Sequence, residues 1–377
     1  MRIFKRIMLT LLSIVLLLIV ASIIFFKTAP QIGGKPSGER LERIKKANNY
    51  EEGVFVNTVE TNMDMPWSTL KKVLSHYLFA DKSDKSPKEP IQTQPFTSEL
   101  FQNVNDSLIA MTWFGHSSIL LKVDGVTILA DPVLVGKRAS MFTFMGPRRF
   151  RYKEHIGIDQ LPKIDAVIIS HDHYDHLDYP TIKTLKEKVN KFYMPLGIGA
   201  HFERWGVPKE NITELEWWDE IEIEGLKLAL TPTRHFSGRA LRDRFKTLWG
   251  SWVIMGSKKR IYFSGDSGYF PGFKEIGEKY GPFDLTFMEC GAYNEGWSEI
   301  HMFPEETAQA HLDVKGKLLM PIHWGKFDLA LHPWKESVNR LTKKAEEENI
   351  SLFTPEVGQL VTLSDSSSVA RWWEQVD

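Results

Sequence analysis

Three imidazoles and three carboxylates fall within eight consecutive residues, His171-Asp172-His173-Tyr174-Asp175-His176-Leu177-Asp178. The apolar stretch Ile164–Ser170 runs directly into them, so a buried strand ends where a polar cluster begins. Burying so many ionisable groups without partners would be costly, which argues against a purely structural role in the core. Active sites are commonly grafted on loops at strand ends, and imidazole with carboxylate is a donor set that suits zinc. The single cysteine, Cys290, excludes an intrachain disulfide and a multi-cysteine zinc site. The arrangement recurs downstream, where His235 follows Leu228–Thr233, Asp266 follows Ile261–Ser264, and His323 follows Leu318–Ile322. Each of these alone reads as an ordinary turn or capping residue. Together His171, His173, Asp175, His176, His235, Asp266 and His323 form a set large enough for two zinc ions per chain. At about four contacts per ion, the set closes if one carboxylate, such as Asp266, bridges the pair beside a shared water. Asp266 is therefore a catalytic candidate as well as a ligand.

The elements that must position these residues are short β-branched and apolar runs. Ile109–Phe114, Ser118–Val123, Thr127–Ala130, Ala166–Ser170, Lys227–Leu230, Ser251–Met255, Arg260–Ser264, Leu285–Glu289 and Leu318–Ile322 read as strands. Helical patterns cover Tyr179–Val189, Pro304–Leu312 and Trp334–Glu348. Their mixture predicts one α/β domain over residues 105–364, with sheets covered by helices. A C-terminal tail, 365–377, carries the aromatic pair Trp372-Trp373, which looks exposed unless the tail docks on the domain.

Ahead of this domain, Ile7–Phe26 carries no charge and matches the roughly 20 apolar residues needed to cross a bilayer. A cleaved signal usually has only about 7–15 apolar residues, and Pro30 directly after Ala29 spoils the nearest cleavage site. Residues 1–28 are thus expected to be an uncleaved single-pass anchor in the cell membrane. Arg2, Lys5 and Arg6 before the helix oppose Lys27, Lys35, Arg40, Arg43, Lys45 and Lys46 after it, which leaves the side of the catalytic domain open. Residues 29–104 read as a polar, aperiodic stalk to about residue 60, an amphipathic helix and a Lys82–Pro95 linker. The helix carries Trp67, Leu70, Leu74, Tyr77 and Leu78 at helical spacing, for packing on the domain or for the lipid interface. The 47 basic and 48 acidic residues nearly cancel, leaving no broad cationic field for nucleic acid.

The H-x-H-x-D-H run followed by His, Asp and His resembles the metallo-β-lactamase superfamily. The blocks Trp113-Phe114-Gly115-His116-Ser117-Ser118 and Ile322-His323-Trp324-Gly325, with others spread across most of residues 110–332, resemble its N-acyl-phosphatidylethanolamine-hydrolysing phospholipase D family. The resemblance implies a four-layered αβ/βα sandwich with metals at one edge of two sheets. It implies that His171, His173 and His235 hold one zinc, that Asp175, His176 and His323 hold the other, and that Asp266 bridges them. It also implies hydrolysis of the distal phosphodiester, releasing N-acylethanolamine and phosphatidic acid. His301 stands where the family has a histidine near the substrate, although Ile300 replaces an expected glutamine; it is the second catalytic and a substrate-binding candidate. Tyr293 in Gly291-Ala292-Tyr293 is a candidate phosphate contact, or else a buried tyrosine satisfied by a backbone carbonyl. His116 reads as an imidazole supporting a ligand, and Arg148 and Arg149 as forks for anionic lipid or as solvated charge. The expected partners are a membrane phospholipid substrate and the bilayer; a homodimer is allowed and nucleic acid is not expected. A lactonase or cyclic phosphodiesterase of the same fold is the alternative activity.

Overall fold

Two seven-stranded sheets dominate the computed structural model, which describes residues 2–64, 67–79, 83–240, 242–363 and 370–377. In chain order the strands are β1 (Ala110–Trp113), β2 (Ile119–Val123), β3 (Val126–Ala130), β4 (Ile164–Ile168), β5 (Val189–Pro195), β6 (Ile212–Leu215) and β7 (Glu220–Ile223). They continue as β8 (Leu226–Thr231), β9 (Ser251–Met255), β10 (Arg260–Phe263), β11 (Leu285–Glu289), β12 (Leu318–Ile322), β13 (Ser351–Leu352) and β14 (Leu360–Thr362). One sheet has the order β14-β1-β2-β3-β4-β5-β6 and the other β13-β12-β11-β10-β9-β8-β7. In the first, β14 through β3 pair antiparallel and β3 through β6 parallel. The second repeats this, antiparallel from β7 to β10 and parallel from β10 to β13.

Side-chain alternation along the strands makes the layers. On β3, Ile128 and Ala130 join a core that also holds Leu228, Ile254, Phe263 and Phe287 of the second sheet, so this core lies between the sheets. Leu129 between them points the other way, into a core with Ile182 and Leu185 of helix Tyr179–Leu185. On the far side, Val253 and Tyr262 meet Phe273 and Ile276 of helix Gly272–Tyr280, Ala308 of helix Pro304–Asp313 and Leu341 of helix Glu336–Glu347. The result is the four-layered αβ/βα sandwich expected. In the parallel parts, the strands' carboxyl ends gather on one edge, where ligands of α/β sheets usually sit.

The N-terminal helix α1 (Arg2–Thr28) is long and apolar enough to cross a membrane and buries no residue against the domain. The segment after it differs from the expected stalk. Ile32, Ile44, Ala47 and Phe55 are buried, and Arg40 pairs with Glu203 at 2.9 Å and Glu214 at 2.7 Å. The Trp205 indole donates to Pro30 O at 2.7 Å, and the Arg239 guanidinium donates to Gln31 O at 2.8 Å. The segment packs because its few apolar side chains and its backbone carbonyls meet partners distant in sequence. The Lys82–Pro95 linker also lies on the domain, with Ile91 buried and bridged to Tyr152; Lys82 itself is outside the described residues. The amphipathic helix forms as α2 (Trp67–Phe79), but it leaves Trp67, Leu74 and Phe79 exposed instead of packing them; the side chains of Tyr77 and Leu78 are outside the described residues. The C-terminal pair is docked. Trp372 stacks on Trp324 at 5.3 Å, and the Trp373 indole donates to Asn339 at 2.7 Å. Residues 364 and 365, where the tail was expected to begin, lie outside the described residues.

Candidate metal centre

The carboxyl ends of β4, β8, β10 and β12 deliver His171 to His176, His235, Asp266 and His323 to one place. His171, His173, His235 and Asp266 place one ligand atom each within 4.8 Å of one another. Beside them, His116, Asp175, His176 and His323 form a second such group. Asp266 spans the two. Its Oδ2 lies 3.7 Å from both His171 Nε2 and His235 Nε2 and 3.0 Å from His323 Nε2, while its Oδ1 lies 3.1 Å from His176 Nε2. Asp175 Oδ2 sits 3.2 Å from His323 Nε2 and 3.5 Å from His176 Nε2. All seven ligand candidates are therefore brought together.

The local backbone is unusual where the ligands turn inward. His323, His116 and Asp131 adopt positive φ of 69°, 56° and 38°, a region that L-residues enter at a cost and that often marks functional sites. Gly291 lies so close to His323 that a Cβ would stand 1.9 Å from its carbonyl oxygen, so only glycine fits there.

A layer of supporting groups fixes the rings. Asp131 accepts from His176 Nδ1 at 2.7 Å and from the Ser170 amide at 2.7 Å. His235 Nδ1 donates to Ile300 O at 2.9 Å. Glu289, fully buried, holds His301 through Nδ1 at 2.6 Å. His116 Nε2 reaches Asp175 at 2.9 Å and its ring lies 4.1 Å from that of His323, which places it to support that ligand carboxylate. The other two aspartates of the run face elsewhere. Asp172 accepts from Gly238 N at 2.7 Å and Thr247 Oγ1 at 2.8 Å. Asp178 caps helix Tyr179–Leu185 by accepting from Thr181 N at 3.1 Å.

Electrostatics favours a cation here. Burial holds His171 and His235 well below the usual imidazole range and His173 down to about 4, so their lone pairs are free to ligate. Burial and the charge of His323 press His116 down to about 3. Burial would raise the Asp175 and Asp266 carboxyls, but the charge of His176 and neighbouring histidines holds both well below the carboxylate range. Burial likewise opposes charge on His323, yet Asp266 and Asp175 lift it to about 10. Two buried carboxylates thus demand positive charge among them. His176 Nε2, Asp266 Oδ1 and His323 Nε2 are buried without a hydrogen bond, although they stand close to one another. Donor atoms aimed at a common point without bonding geometry fit metal ligation by imidazole and carboxylate.

The centre opens into a cavity of about 330 Å³ lined by His173, Asp175, Asp266, His301 and His323, with Phe236 and Arg244 at its rim. Trp297 and Leu329 line both this mouth and a larger cavity of about 690 Å³ that carries Lys85, Arg148, Arg149 and Arg151. Tyr293 is the exception among the expected site residues. Its hydroxyl donates to Glu336 at 2.5 Å and its ring stacks on His332, and it lines a separate cavity with Thr69 and Lys72. It is a tyrosine satisfied by a carboxylate, away from the mouth, which corrects the expected phosphate contact.

Residues 127–324 match the beta-lactamase superfamily domain. The chain is 42% identical over 333 residues to an uncharacterized protein of Mycobacterium tuberculosis, across 87% of this chain and 88% of that one. It is 32% identical over 279 residues to N-acyl-phosphatidylethanolamine-hydrolyzing phospholipase D 1 of Caenorhabditis elegans, across 69% of this chain and 78% of that protein. A solved metallo hydrolase from Ignicoccus hospitalis shares the fold, with a TM-score of 0.51 at 24% identity over 68% of this chain and 98% of that one.

Proposed function

The chain belongs to the beta-lactamase superfamily as a metal-dependent hydrolase, and from that premise we propose that it is a zinc-dependent phosphodiester hydrolase of the phospholipase D type. Its substrate is N-acyl-phosphatidylethanolamine or a related membrane phospholipid, and its products are N-acylethanolamine and phosphatidic acid. The observation that carries the reading is the shared carboxylate, Asp266, between two groups of donors. The named activity of the Caenorhabditis elegans relative and the apolar helix α1 support the lipid substrate.

In this reading His171, His173 and His235 would hold one zinc and Asp175, His176 and His323 the second, with Asp266 available to both. Two zinc ions bound there would lower the pKa of water and neutralise charge on the phosphoryl oxygens. Asp131 and Ile300 O fix the rings of His176 and His235 through their second nitrogens, which keeps the opposite nitrogens aimed inward. His301, tethered at Nδ1 by Glu289, keeps Nε2 for the substrate and delivers a proton to the departing oxygen of the ethanolamide. The catalytic residues all lie within 105–364, onto which the segment after the anchor and the C-terminal tryptophan pair pack, and residues 1–28 present the domain at a membrane.

Hydrolysis in water enriched in heavy oxygen tests this directly, with elemental analysis of the purified protein counting zinc. Cleavage at phosphorus leaves the label on the phosphate of the released phosphatidic acid. Label on a free fatty acid, or on an opened lactone with no lipid turnover, replaces the proposal with an acyl or lactone hydrolase of the same fold.

A further inference from the structure

We infer that the loop Ser140–Gly146 is a lipid-inserting tip that seats the catalytic domain on an anionic bilayer surface; the inference rests on the reading that α1 crosses a membrane. The loop is built as a firm protrusion. Arg138 and Arg148 pair as an antiparallel bridge at its base, with Ala139 N donating to Pro147 O and Arg149 N to Lys137 O, both at 3.0 Å. The Arg138 guanidinium closes onto Gly146 O at 2.6 Å. Gly146 has φ of +99° and sits against Ser140, a turn that glycine makes without strain.

What this base supports is apolar. The tip reads Met141-Phe142-Thr143-Phe144-Met145, without a charge, and Phe144 and Met145 are 72% and 51% exposed. Single exposed apolar residues are commonplace, but here they are contiguous and continue an apolar surface already present. Phe142 stacks on Phe25 in the last turn of α1 at 5.1 Å and meets Phe144 at 5.6 Å. The tip therefore stands level with the end of the membrane-crossing helix, the depth at which aromatic rings settle between headgroups and hydrocarbon.

Charge around the tip selects the surface. Lys137, Arg138, Arg148, Arg149, Arg151 and Lys153 flank the tip in the chain as a basic collar, with Arg149 turned inward onto Leu134 O, and no acidic residue occurs between Asp131 and Glu154. An apolar tip in a cationic collar is complementary to an anionic leaflet. The collar also opens onto the reaction. Gly146, Arg148 and Arg151 line the 690 Å³ cavity that shares Trp297 and Leu329 with the metal mouth. Val73 of α2 lines the same cavity, and Trp67 and Leu74 on that helix are exposed, so apolar residues flank the groove on both sides. A tip seated in the leaflet brings phospholipid headgroups to the groove that leads to the centre.

The full-length chain, reconstituted in vesicles of zwitterionic and anionic phospholipid with nitroxide-bearing acyl chains, tests this. Phe144→Cys carries an environment-sensitive dye; Leu17→Cys in α1 and Lys258→Cys in the turn between β9 and β10 are references. Cys290 is fully buried, and the unmutated chain is the labelling blank. The expected result is severalfold quenching by the nitroxide lipid at Phe144→Cys and Leu17→Cys and none at Lys258→Cys. Quenching at Leu17→Cys alone overturns the loop proposal and leaves the anchor standing. Quenching at neither position overturns the membrane reading and the loop with it. A blue shift at Phe144→Cys without quenching assigns the tip to a protein contact, such as a second copy of the chain, and overturns the proposal.

Discussion

A carboxylate buried among imidazoles must be ionised to hold metal and paired to be tolerated, and Asp266 meets both conditions at once. It approaches His171, His176, His235 and His323, so its loss should disturb both groups of donors. Asp266→Ala is expected to lower hydrolysis by at least roughly 100-fold and to reduce the bound zinc measured by elemental analysis, with the fold retained by circular dichroism; a near-normal rate would sink the binuclear reading. Asp131 acts one bond further out. Asp131→Asn keeps a side chain that accepts its φ of +38° but removes the charge facing His176 Nδ1. The expected cost is about 10–100-fold in metal affinity or activity, read by competition with a chelator of known affinity. The seven ligand candidates were legible in the sequence because each follows an apolar run that stops abruptly. Asp131, Glu289 and Asp172 were not read as supports because each partner is remote in the chain: His176 lies 45 residues from Asp131, His301 12 from Glu289 and Thr247 75 from Asp172. Tyr293 was misplaced for a related reason. The Gly-Ala-Tyr block gave its identity, but the direction of its hydroxyl depends on Glu336, 43 residues on.

At the scale of elements, most central strands were legible, but the margins were not, and neither was β5 (Val189–Pro195), whose first residue falls at the end of the helix expected over Tyr179–Val189; that helix closes at Leu185. Ser251–Met255, Leu285–Glu289 and Leu318–Ile322 begin and end as read, since their faces are buried on both sides and the apolar run is continuous. The edge strands β6 and β7, ITEL and EIEI, are half exposed and carry charge, which erases that signal. Segment 29–57 was read as a stalk for want of periodicity, yet it is fastened by Arg40, Trp205 and Arg239. The Arg239 guanidinium also donates to Leu177 O at 2.8 Å and lies 4.1 Å from the Tyr174 ring, tying the segment to the ligand loop itself. Two truncations separate the anchor from the fold. Removing residues 1–28 strips a helix with no fully buried residue, touching the domain chiefly through the Phe25–Phe142 stack, so the unfolding temperature should move by only a few degrees, about the effect of 1 kcal/mol. Removing residues 1–57 also discards buried Ile32, Ile44 and Phe55, worth roughly 1.5–3 kcal/mol each as an upper range. That deletion should lower the melting temperature by roughly 10 °C or more or prevent folding. Equal melting of the two truncated chains would restore the stalk.

For the whole molecule, the consequential fact is that each group of donors draws on both sheets. His171, His173, Asp175 and His176 follow β4 of the first sheet, and His116 follows β1, whereas His235, Asp266 and His323 follow β8, β10 and β12 of the second. This partition was not visible in the residue pattern, which identified strands but not their sheets, and the family resemblance implied only metals at an edge of two sheets, because sheet order is set by pairing across long separations. Below the ligands the two sheets share an apolar core, and at the ligand edge they meet through imidazoles and carboxylates whose inward atoms, His176 Nε2, Asp266 Oδ1 and His323 Nε2, lack hydrogen bonds. Metal bound across that edge must therefore act as a clasp between the halves as well as a reagent. Ligand that binds only the folded state stabilises it by about 2.7 kcal/mol at a concentration 100 times its dissociation constant. Two sites at that saturation, with about 2–4 °C of melting temperature per kcal/mol in a domain of about 150–250 residues, predict that zinc raises the melting temperature by roughly 10–20 °C over the chelator-treated chain. Hydrogen exchange should locate the effect, with protection lost on chelation at the carboxyl ends of β4, β10 and β12 and kept at the turn between β9 and β10, which lies at the opposite edge. A melting temperature and exchange pattern indifferent to chelation would mean that the apolar core alone holds the sheets together, and that metal, wherever it binds, does not join them.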